Sequence, residues 1–248
     1  MEITVHEFPD MKKLSGQSAL YIAGIIKGSI ENKGRCIIAL SGGKSPKQVY
    51  EKLAEAEVNA GINWRRVFVF WGDERYTGHT SDDSNYYMTY RSFLSKVNIP
   101  QENIFRVPVE VSPASYAAIL YERMMEKFFM SMGAVNGKKR TPVFDLMLLG
   151  VGTDGHTASL FPGHEAVNEK KRWVVSLKTA DNIQERVTMT LPVINSACNV
   201  VFIVSGEGKG KIIRSVLEER GTDKKEYPAA KITPETGTVW FVDKRAVK

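Results

Sequence analysis

Apolar residues along this chain follow two alternating patterns. Short continuous apolar runs, which are typical of strands buried on both faces of a sheet, occupy residues 36–40, 67–71, 144–149 and 199–204. Weaker strand patterns occupy residues 3–8, 174–177, 187–191 and 238–242. Apolar residues spaced three or four apart predict helices over residues 14–26, 46–53, 85–97, 113–132 and 209–219.

Strands separated by helices of this length predict an α/β fold, with a mostly parallel, Rossmann-like sheet and helices on both faces. No linker rich in Pro, Gly or Ser divides the 248 residues, and no internal repeat is evident. We therefore expect residues 1–248 to form a single domain. Ligands of such sheets bind at the carboxyl ends of the strands, so polar residues that follow the strands are the candidates for a site.

The most informative of these strand ends follows residues 144–149. It is a glycine-rich turn that carries a carboxylate and an imidazole, Asp154 and His156. The glycines match the dinucleotide-binding pattern G-x-G-x-x-G, but that motif requires a long helix after Gly155, and Pro162 interrupts the chain too soon. The turn is then either an ordinary surface loop or an acid/base site, in which the carboxylate orients the imidazole. We favour the acid/base site.

A second glycine turn lies between the strand at 36–40 and the next predicted helix. It reads Ser41-Gly42-Gly43-Lys44, followed by Ser45-Pro46. Backbone N–H groups and the helix dipole make such a helix start suitable for a phosphate. A nucleotide P-loop is excluded, because its first glycine would be residue 38, which is isoleucine. The remaining alternative is a simple strand-to-helix turn.

Charged residues follow two further strands. Asp73 and Arg75 come directly after residues 67–71, and Lys209 opens the helix after 199–204. Arg186 begins another predicted strand. A lysine at the start of a helix is unfavourable, because its charge opposes the helix dipole, and a nearby anion would remove this cost. Arginine binds phosphate well. Together these residues predict a site for a phosphorylated small molecule, although each alone is compatible with a solvated surface.

Composition narrows the function classes. The net charge is +6, but the basic residues are scattered, which disfavours nucleic-acid binding and is compatible with a small anionic substrate. No apolar run approaches the length of a membrane span, and no signal peptide is evident. Cys36 and Cys198 lie in apolar runs, which predicts buried free thiols and a cytoplasmic location. The sequence does not indicate an oligomeric state.

Six segments, which follow one another in the family's order, resemble the 6-phosphogluconolactonases, within the family that also includes glucosamine-6-phosphate isomerase/deaminase. The segment GVGTDGHTASLFPG at Gly150–Gly163 is the most specific of them. The others are SGGKSP at Ser41–Pro46, WGDERYT with SNY at Ser84–Tyr86, RVP at Arg106–Pro108, RVTMTLPVIN at Arg186–Asn195 and GEGK at Gly206–Lys209.

The resemblance implies hydrolysis of a phosphorylated sugar lactone in the oxidative pentose phosphate pathway, without a metal or organic cofactor. It implies that His156 is the catalytic base and that Asp154 and Asp73 line the sugar site. The phosphate-binding residues that it implies are Ser41, Gly42, Gly43, Arg75, Arg186 and Lys209. Lys44 departs from the family pattern, and either adds a phosphate contact or faces solvent.

Two other functions are compatible with the same motifs. An isomerase/deaminase needs an additional proton-transferring group, and the isomerase branch carries Glu five residues after the histidine, where this chain has Phe161. A non-catalytic sugar-phosphate sensor would usually carry a fused DNA-binding module, for which 248 residues leave no room. We therefore expect a lactonase.

Overall fold

The computed structural model describes residues 2–137, 140–179, 184–219 and 226–247. The strands are β1 (Ile3–Phe8), β2 (Cys36–Leu40), β3 (Val67–Trp71), β4 (Asp73–Arg75), β5 (Val135–Asn136), β6 (Thr141–Pro142), β7 (Leu146–Leu149), β8 (Val174–Lys178), β9 (Glu185–Met189), β10 (Val200–Val204) and β11 (Thr238–Asp243). The α-helices are α1 (Met11–Lys33), α2 (Lys44–Leu53), α3 (Ala56–Asn59), α4 (Asn85–Ser92), α5 (Ala114–Ser131), α6 (Leu191–Ile194), α7 (Gly210–Glu219) and α8 (Lys244–Val247).

A six-stranded sheet with the order β1-β11-β10-β7-β2-β3 forms the centre of the molecule. Every neighbouring pair in this sheet is parallel. This confirms the predicted mostly parallel α/β fold. The carboxyl ends of β2, β3, β7 and β10 therefore lie along one edge, and the loops that follow these strands are brought together there.

The central strands are buried on both faces, as their continuous apolar runs predicted. Along β2, Ile37 and Ala39 pack into one core, while Cys36, Ile38 and Leu40 pack into the other. Successive side chains of a strand point to opposite faces, so a strand between two helical layers must be apolar at every position. Helices α1 and α2 contact each other in one layer, and α5 packs against β8 and β9 in the other.

A second, antiparallel sheet of three strands has the order β4-β9-β8. The sequence predicted a strand at 187–191, but the structure places β9 at Glu185–Met189 and begins helix α6 at Leu191. The strand β4 was not predicted, because its three residues are all charged and give no apolar pattern. In this small sheet, Arg75 on β4 lies directly opposite Arg186 on β9.

Two other predictions need correction. The helix expected over 85–97 ends at Ser92, and a short 3₁₀ turn, Leu94–Lys96, follows it. Phe93 breaks the helix because its backbone φ is −144°, outside the helical range. Cys36 is buried as expected, whereas Cys198 is partly exposed, because it lies in the turn before β10; both thiols are free. Within the described residues, no helix is long and apolar enough to cross a membrane.

Candidate active site

A cleft of about 590 Å³ opens where the loops after β2, β3, β7 and β10 meet. The structure brings together in this cleft every residue that the sequence predicted for the site. They are Ser41, Gly42, Gly43, Lys44, Asp73, Arg75, Asp154, His156, Arg186 and Lys209. The cleft is also lined by residues that the sequence reasoning did not assign to it, among them Asn85, Ala158 and Thr179.

The amino end of α2 forms one wall of the cleft. Gly43, which precedes the helix, has a φ of 105° and provides no side-chain cap for the first N–H groups. The Tyr50 hydroxyl accepts a hydrogen bond from the Ser41 N–H (3.0 Å) and donates one to the Ser41 carbonyl (2.8 Å), which fixes the turn. Among the described residues, the buried Ser41 Oγ has no hydrogen-bond partner. An uncapped helix start beside a free hydroxyl is well suited to hold an anion.

The side chain of Asn85 connects this turn to β4. Its Nδ2 donates to the Asp73 carbonyl oxygen at 2.9 Å, and its amide packs directly against Gly42, where an added Cβ would overlap it. A side chain at position 42 would therefore have to displace the Asn85 amide. The motif SNY contained Asn85, but its role depends on packing between distant segments, which no local pattern indicates.

Arg75 and Arg186, the arginine pair, are direct cross-strand partners on β4 and β9. Nη1 of Arg75 donates to the Asp83 carbonyl oxygen at 2.8 Å, whereas the buried Nε atoms of both arginines have no hydrogen-bond partner in the part of the chain that the structure describes. Burial lowers the pKa of Arg186, and the adjacent positive charge of Arg75 lowers it further. Two close cations with unused donors are unfavourable alone and become favourable when an anion binds between them.

Lys209 adds a third cationic group to the cleft, immediately before α7. Burial lowers the pKa of Lys209, and the carboxylate of Asp243 partly opposes this effect. A partly desolvated ammonium at a helix start is costly, since the helix dipole is also positive there. A bound phosphate would offset both costs.

Asp154 and His156 form an ordered pair in the turn after β7. The His156 Nδ1 and Asp154 Oδ1 atoms are 2.6 Å apart, and the same oxygen accepts the His156 backbone N–H at 3.1 Å. An ionised carboxylate only accepts hydrogen bonds, so Nδ1 carries a proton, and in the neutral form of the imidazole Nε2 is the nitrogen with the free lone pair. The ring of Phe161 lies 4.7 Å from the imidazole, measured between centroids. The geometry therefore leaves Nε2 as the nitrogen that can act as a base, and it restrains the orientation of the imidazole ring.

Close packing explains two of the glycines in this turn. A Cβ at Gly152 would overlap the imidazole and the Asp154 carboxylate, and a Cβ at Gly155 would press against Tyr227. Gly155 also has a φ of 80°, and its carbonyl oxygen accepts the Ala229 N–H at 3.1 Å. This turn is thus held by a segment more than 70 residues further along the chain.

The turn is also tied to Asp73 across the cleft. Ser159 Oγ donates to Asp73 Oδ2 at 2.7 Å, and the Ser159 N–H donates to Thr188 Oγ1 at 3.2 Å. The preceding residue, Ala158, has a φ of 50°, which is unusual for a residue with a side chain. Such backbone strain is typical of functional sites, where surrounding contacts hold it. The hydrogen bond from Ser159, the next residue, places the buried Asp73 carboxylate beside the turn that carries His156.

The described cleft therefore combines two chemical halves. One half presents cations, an uncapped helix start and a free hydroxyl, which suit a phosphate. The other half presents an oriented imidazole, which suits proton transfer from water or a hydroxyl group. Residues from five separate segments of the chain build the two halves, so a ligand that spans them would be held at one end while its other end meets the imidazole.

Comparisons with known proteins agree with this arrangement. A family model described as glucosamine-6-phosphate isomerases/6-phosphogluconolactonase matches residues 9–241. The chain is 40% identical over 231 residues to 6-phosphogluconolactonase 3, chloroplastic, of Arabidopsis thaliana, which covers 92% of this chain and 69% of that protein. It is 36% identical over 246 residues to the 6-phosphogluconolactonase of Nostoc sp., covering 99% of this chain and 98% of that protein.

The fold is also similar to solved structures. The 6-phosphogluconolactonase of Trypanosoma brucei superposes with a TM-score of 0.85 at 29% sequence identity. The superposition covers 99% of this chain and 97% of that one. The similarity therefore extends over the whole central sheet and the loops that form the cleft.

Proposed function

Because the chain belongs to the glucosamine-6-phosphate isomerase/6-phosphogluconolactonase family, we propose that it hydrolyses 6-phosphoglucono-δ-lactone to 6-phosphogluconate, a step of the oxidative pentose phosphate pathway. The observation that carries this proposal is the Asp154–His156 pair, which shares one cleft with the arginine pair. A lactone is an activated ester, so a single base that deprotonates water is sufficient for its hydrolysis.

In the proposed reaction, Nε2 of His156 takes a proton from a water molecule as the water attacks the lactone carbonyl carbon. The resulting imidazolium is stabilised by the Asp154 carboxylate at 2.6 Å. The tetrahedral intermediate then collapses, the bond between the carbonyl carbon and the ring oxygen breaks, and His156 returns the proton to that oxygen. Cations or glycine N–H groups of the cleft stabilise the oxyanion.

The cationic half of the cleft holds the substrate phosphate in this proposal. Ser41, the amino end of α2, the arginine pair and Lys209 provide hydrogen-bond donors and positive charge. Holding the phosphate places the distant carbonyl near His156 and so reduces the entropic cost of reaching the transition state. Lys44 is exposed at the rim of the cleft, where its charge would attract the anionic substrate.

The isomerase/deaminase reaction is the competing function, and Phe161 argues against it. That reaction moves a proton between two carbon atoms and opens a sugar ring, so it needs more proton-transferring groups. Phe161 packs on the imidazole of His156 and supplies none. We also propose a cytoplasmic location, since both cysteines are free thiols.

The proposal predicts that the purified protein opens 6-phosphoglucono-δ-lactone faster than buffer does, in the presence of a chelator. The measurement is acid release at constant pH, slightly below neutrality, where spontaneous opening is slower. The matched assay offers glucosamine-6-phosphate and measures ammonia, and we expect none. Ammonia release without acceleration of lactone opening would move the chain to the isomerase/deaminase branch.

The lowered pKa of Lys209 predicts a pH dependence of product binding. As the pH rises, Lys209 loses its proton earlier than an ordinary lysine, so the affinity for 6-phosphogluconate should fall as the pH passes through this lowered pKa. Arginine keeps its charge at these pH values, so the affinity of the Lys209→Arg protein for 6-phosphogluconate should persist to higher pH. Calorimetric titration between neutral and alkaline pH measures both.

The exposed Lys211, two residues further along the chain, provides the control. Lys211→Arg should leave the alkaline decline of affinity where the unchanged protein has it. An identical decline in the Lys209→Arg protein would show that Lys209 does not contact the phosphate.

A further inference from the structure

Glu74 is a buried acidic residue that the proposed reaction does not use. It occupies the middle of β4, between Asp73 and Arg75, and its neighbours both line the cleft. Because side chains alternate along a strand, Glu74 points to the opposite side and is only 2% exposed. A carboxylate buried so completely must receive hydrogen bonds to remain stable.

Four donors converge on this carboxylate. Oε1 accepts the backbone N–H groups of Arg75 (2.8 Å) and Asn85 (2.7 Å). Oε2 accepts the Tyr86 N–H (2.8 Å) and the Ser84 hydroxyl (3.2 Å). Three of these donors belong to the start of α4, where a negative charge also interacts favourably with the helix dipole. Burial raises the pKa of Glu74, and the backbone donors oppose that rise.

The segments that Glu74 joins are those that place the phosphate-binding groups. The Asp83 carbonyl oxygen, adjacent to the start of α4, accepts the hydrogen bond from Arg75 Nη1. The side chain of Asn85 binds the Asp73 carbonyl and packs against Gly42. A shift of α4 relative to β4 would therefore displace both the guanidinium of Arg75 and the glycine turn before α2.

Glu74 also contributes charge. Burial and the positive charge of Arg75 lower the pKa of Arg186, whereas the carboxylates of Asp73 and Glu74 raise it. The negative charge behind β4 thus offsets part of the repulsion within the arginine pair while no ligand is bound. This contribution reaches the ligand through the arginines, because Glu74 itself does not line the cleft.

We propose that Glu74 is a positioning residue for phosphate binding: it holds Arg75, Asn85 and the turn at Gly42 in the geometry that receives the phosphorylated end of the substrate. This inference rests on the proposed function for the identity of the substrate. It assigns to Glu74 an effect on the binding of phosphate and none on the chemistry at His156.

The test is Glu74→Gln, which keeps the size of the side chain but turns one accepting oxygen into an NH₂ group that faces N–H or O–H donors. We expect the KM for 6-phosphoglucono-δ-lactone and the Kd for 6-phosphogluconate to rise about tenfold. The kcat should change little, and kcat/KM for the unphosphorylated glucono-δ-lactone should remain unchanged. Glu74→Asp keeps the charge and should show a smaller shift in the same direction, which provides a second variant if Glu74→Gln folds poorly.

Glu122 offers a matched control. It lies on α5, outside the cleft. Its carboxylate accepts hydrogen bonds from Nε of Arg172 (2.9 Å) and from the backbone N–H groups of Trp173 (3.0 Å) and Val174 (2.9 Å). Glu122→Gln removes a comparable set of hydrogen bonds. The melting temperature of this variant should therefore fall, while its KM for the lactone and its Kd for 6-phosphogluconate stay constant. If Glu74→Gln behaves in the same way, Glu74 is only structural and the inference is overturned.

Binding and turnover separate this inference from the proposed function. If the unchanged protein does not accelerate lactone opening, the proposed function fails, but loss of 6-phosphogluconate affinity in Glu74→Gln would still support the positioning role. If the protein is an active lactonase and both substrates lose activity equally in Glu74→Gln, the positioning role fails and the proposed function stands.

Discussion

Replacing His156 with alanine is expected to lower the enzymatic rate of lactone opening by about 10²–10⁴-fold, the usual contribution of a positioned general base. Alanine removes the imidazole that Asp154 orients at 2.6 Å, and no other imidazole lines the described part of the cleft. The rate is measured as acid release above the spontaneous background. The affinity for 6-phosphogluconate should remain near that of the unchanged protein, because the cationic half of the cleft is intact.

His6 provides the control for this prediction. It is exposed on β1, the edge strand at the other end of the sheet from β2 and β3. His6→Ala should therefore retain full activity. A fully active His156→Ala protein would refute the proposed mechanism, and equal loss of activity and of product binding would indicate that the substitution disturbs the fold of the turn.

The central sheet could be predicted because its strands are buried on both faces. Such strands have to be apolar at every position, so β2 and β3 were delimited to the residue by their apolar runs. The loops that follow parallel strands must lie at one edge. For this reason the sequence also predicted that the glycine turns would be brought together, although it did not determine the distances between them.

The second sheet could not be predicted in the same way. Its strand β4 is the charged tripeptide Asp73-Glu74-Arg75, whose pattern resembles a surface loop. Its pairing with β9 joins residues more than 100 positions apart. The local sequence therefore indicated that Arg75 and Arg186 were candidates for a phosphate site, but only the tertiary structure shows that they are direct neighbours.

The supporting residues of the site were missed for a related reason. Glu74 and Asn85 act through hydrogen bonds between β4 and α4, and Ser159 acts through the Asp73 carboxylate. All three lie within segments that carry the family resemblance, but no local pattern assigns a role to any of them. Only Glu74 offered a signal in the sequence: it is a charged residue in a short segment between two buried elements, and a buried charge is usually paired.

Replacing Arg186 with glutamine is expected to weaken the binding of 6-phosphogluconate by about 1.5–3 kcal/mol, the contribution of a charged hydrogen bond. This corresponds to about a 10–100-fold rise in Kd, with a similar rise in the KM for the phosphorylated lactone. Hydrolysis of glucono-δ-lactone should change little, because that substrate has no phosphate. The ligand-free variant should be at least as stable as the unchanged protein, since burial and Arg75 both disfavour the charge of Arg186.

Calorimetric titration gives the affinities, and thermal unfolding without ligand gives the stabilities. Arg123→Gln is the matched control, because Arg123 is exposed on α5 and does not line the cleft; its affinity and substrate preference should be unchanged. Equal losses of activity for both lactones in Arg186→Gln would show that this arginine acts on folding or on the chemical step. A loss confined to the phosphorylated substrate would assign Arg186 to phosphate binding, because only that interaction distinguishes the two lactones.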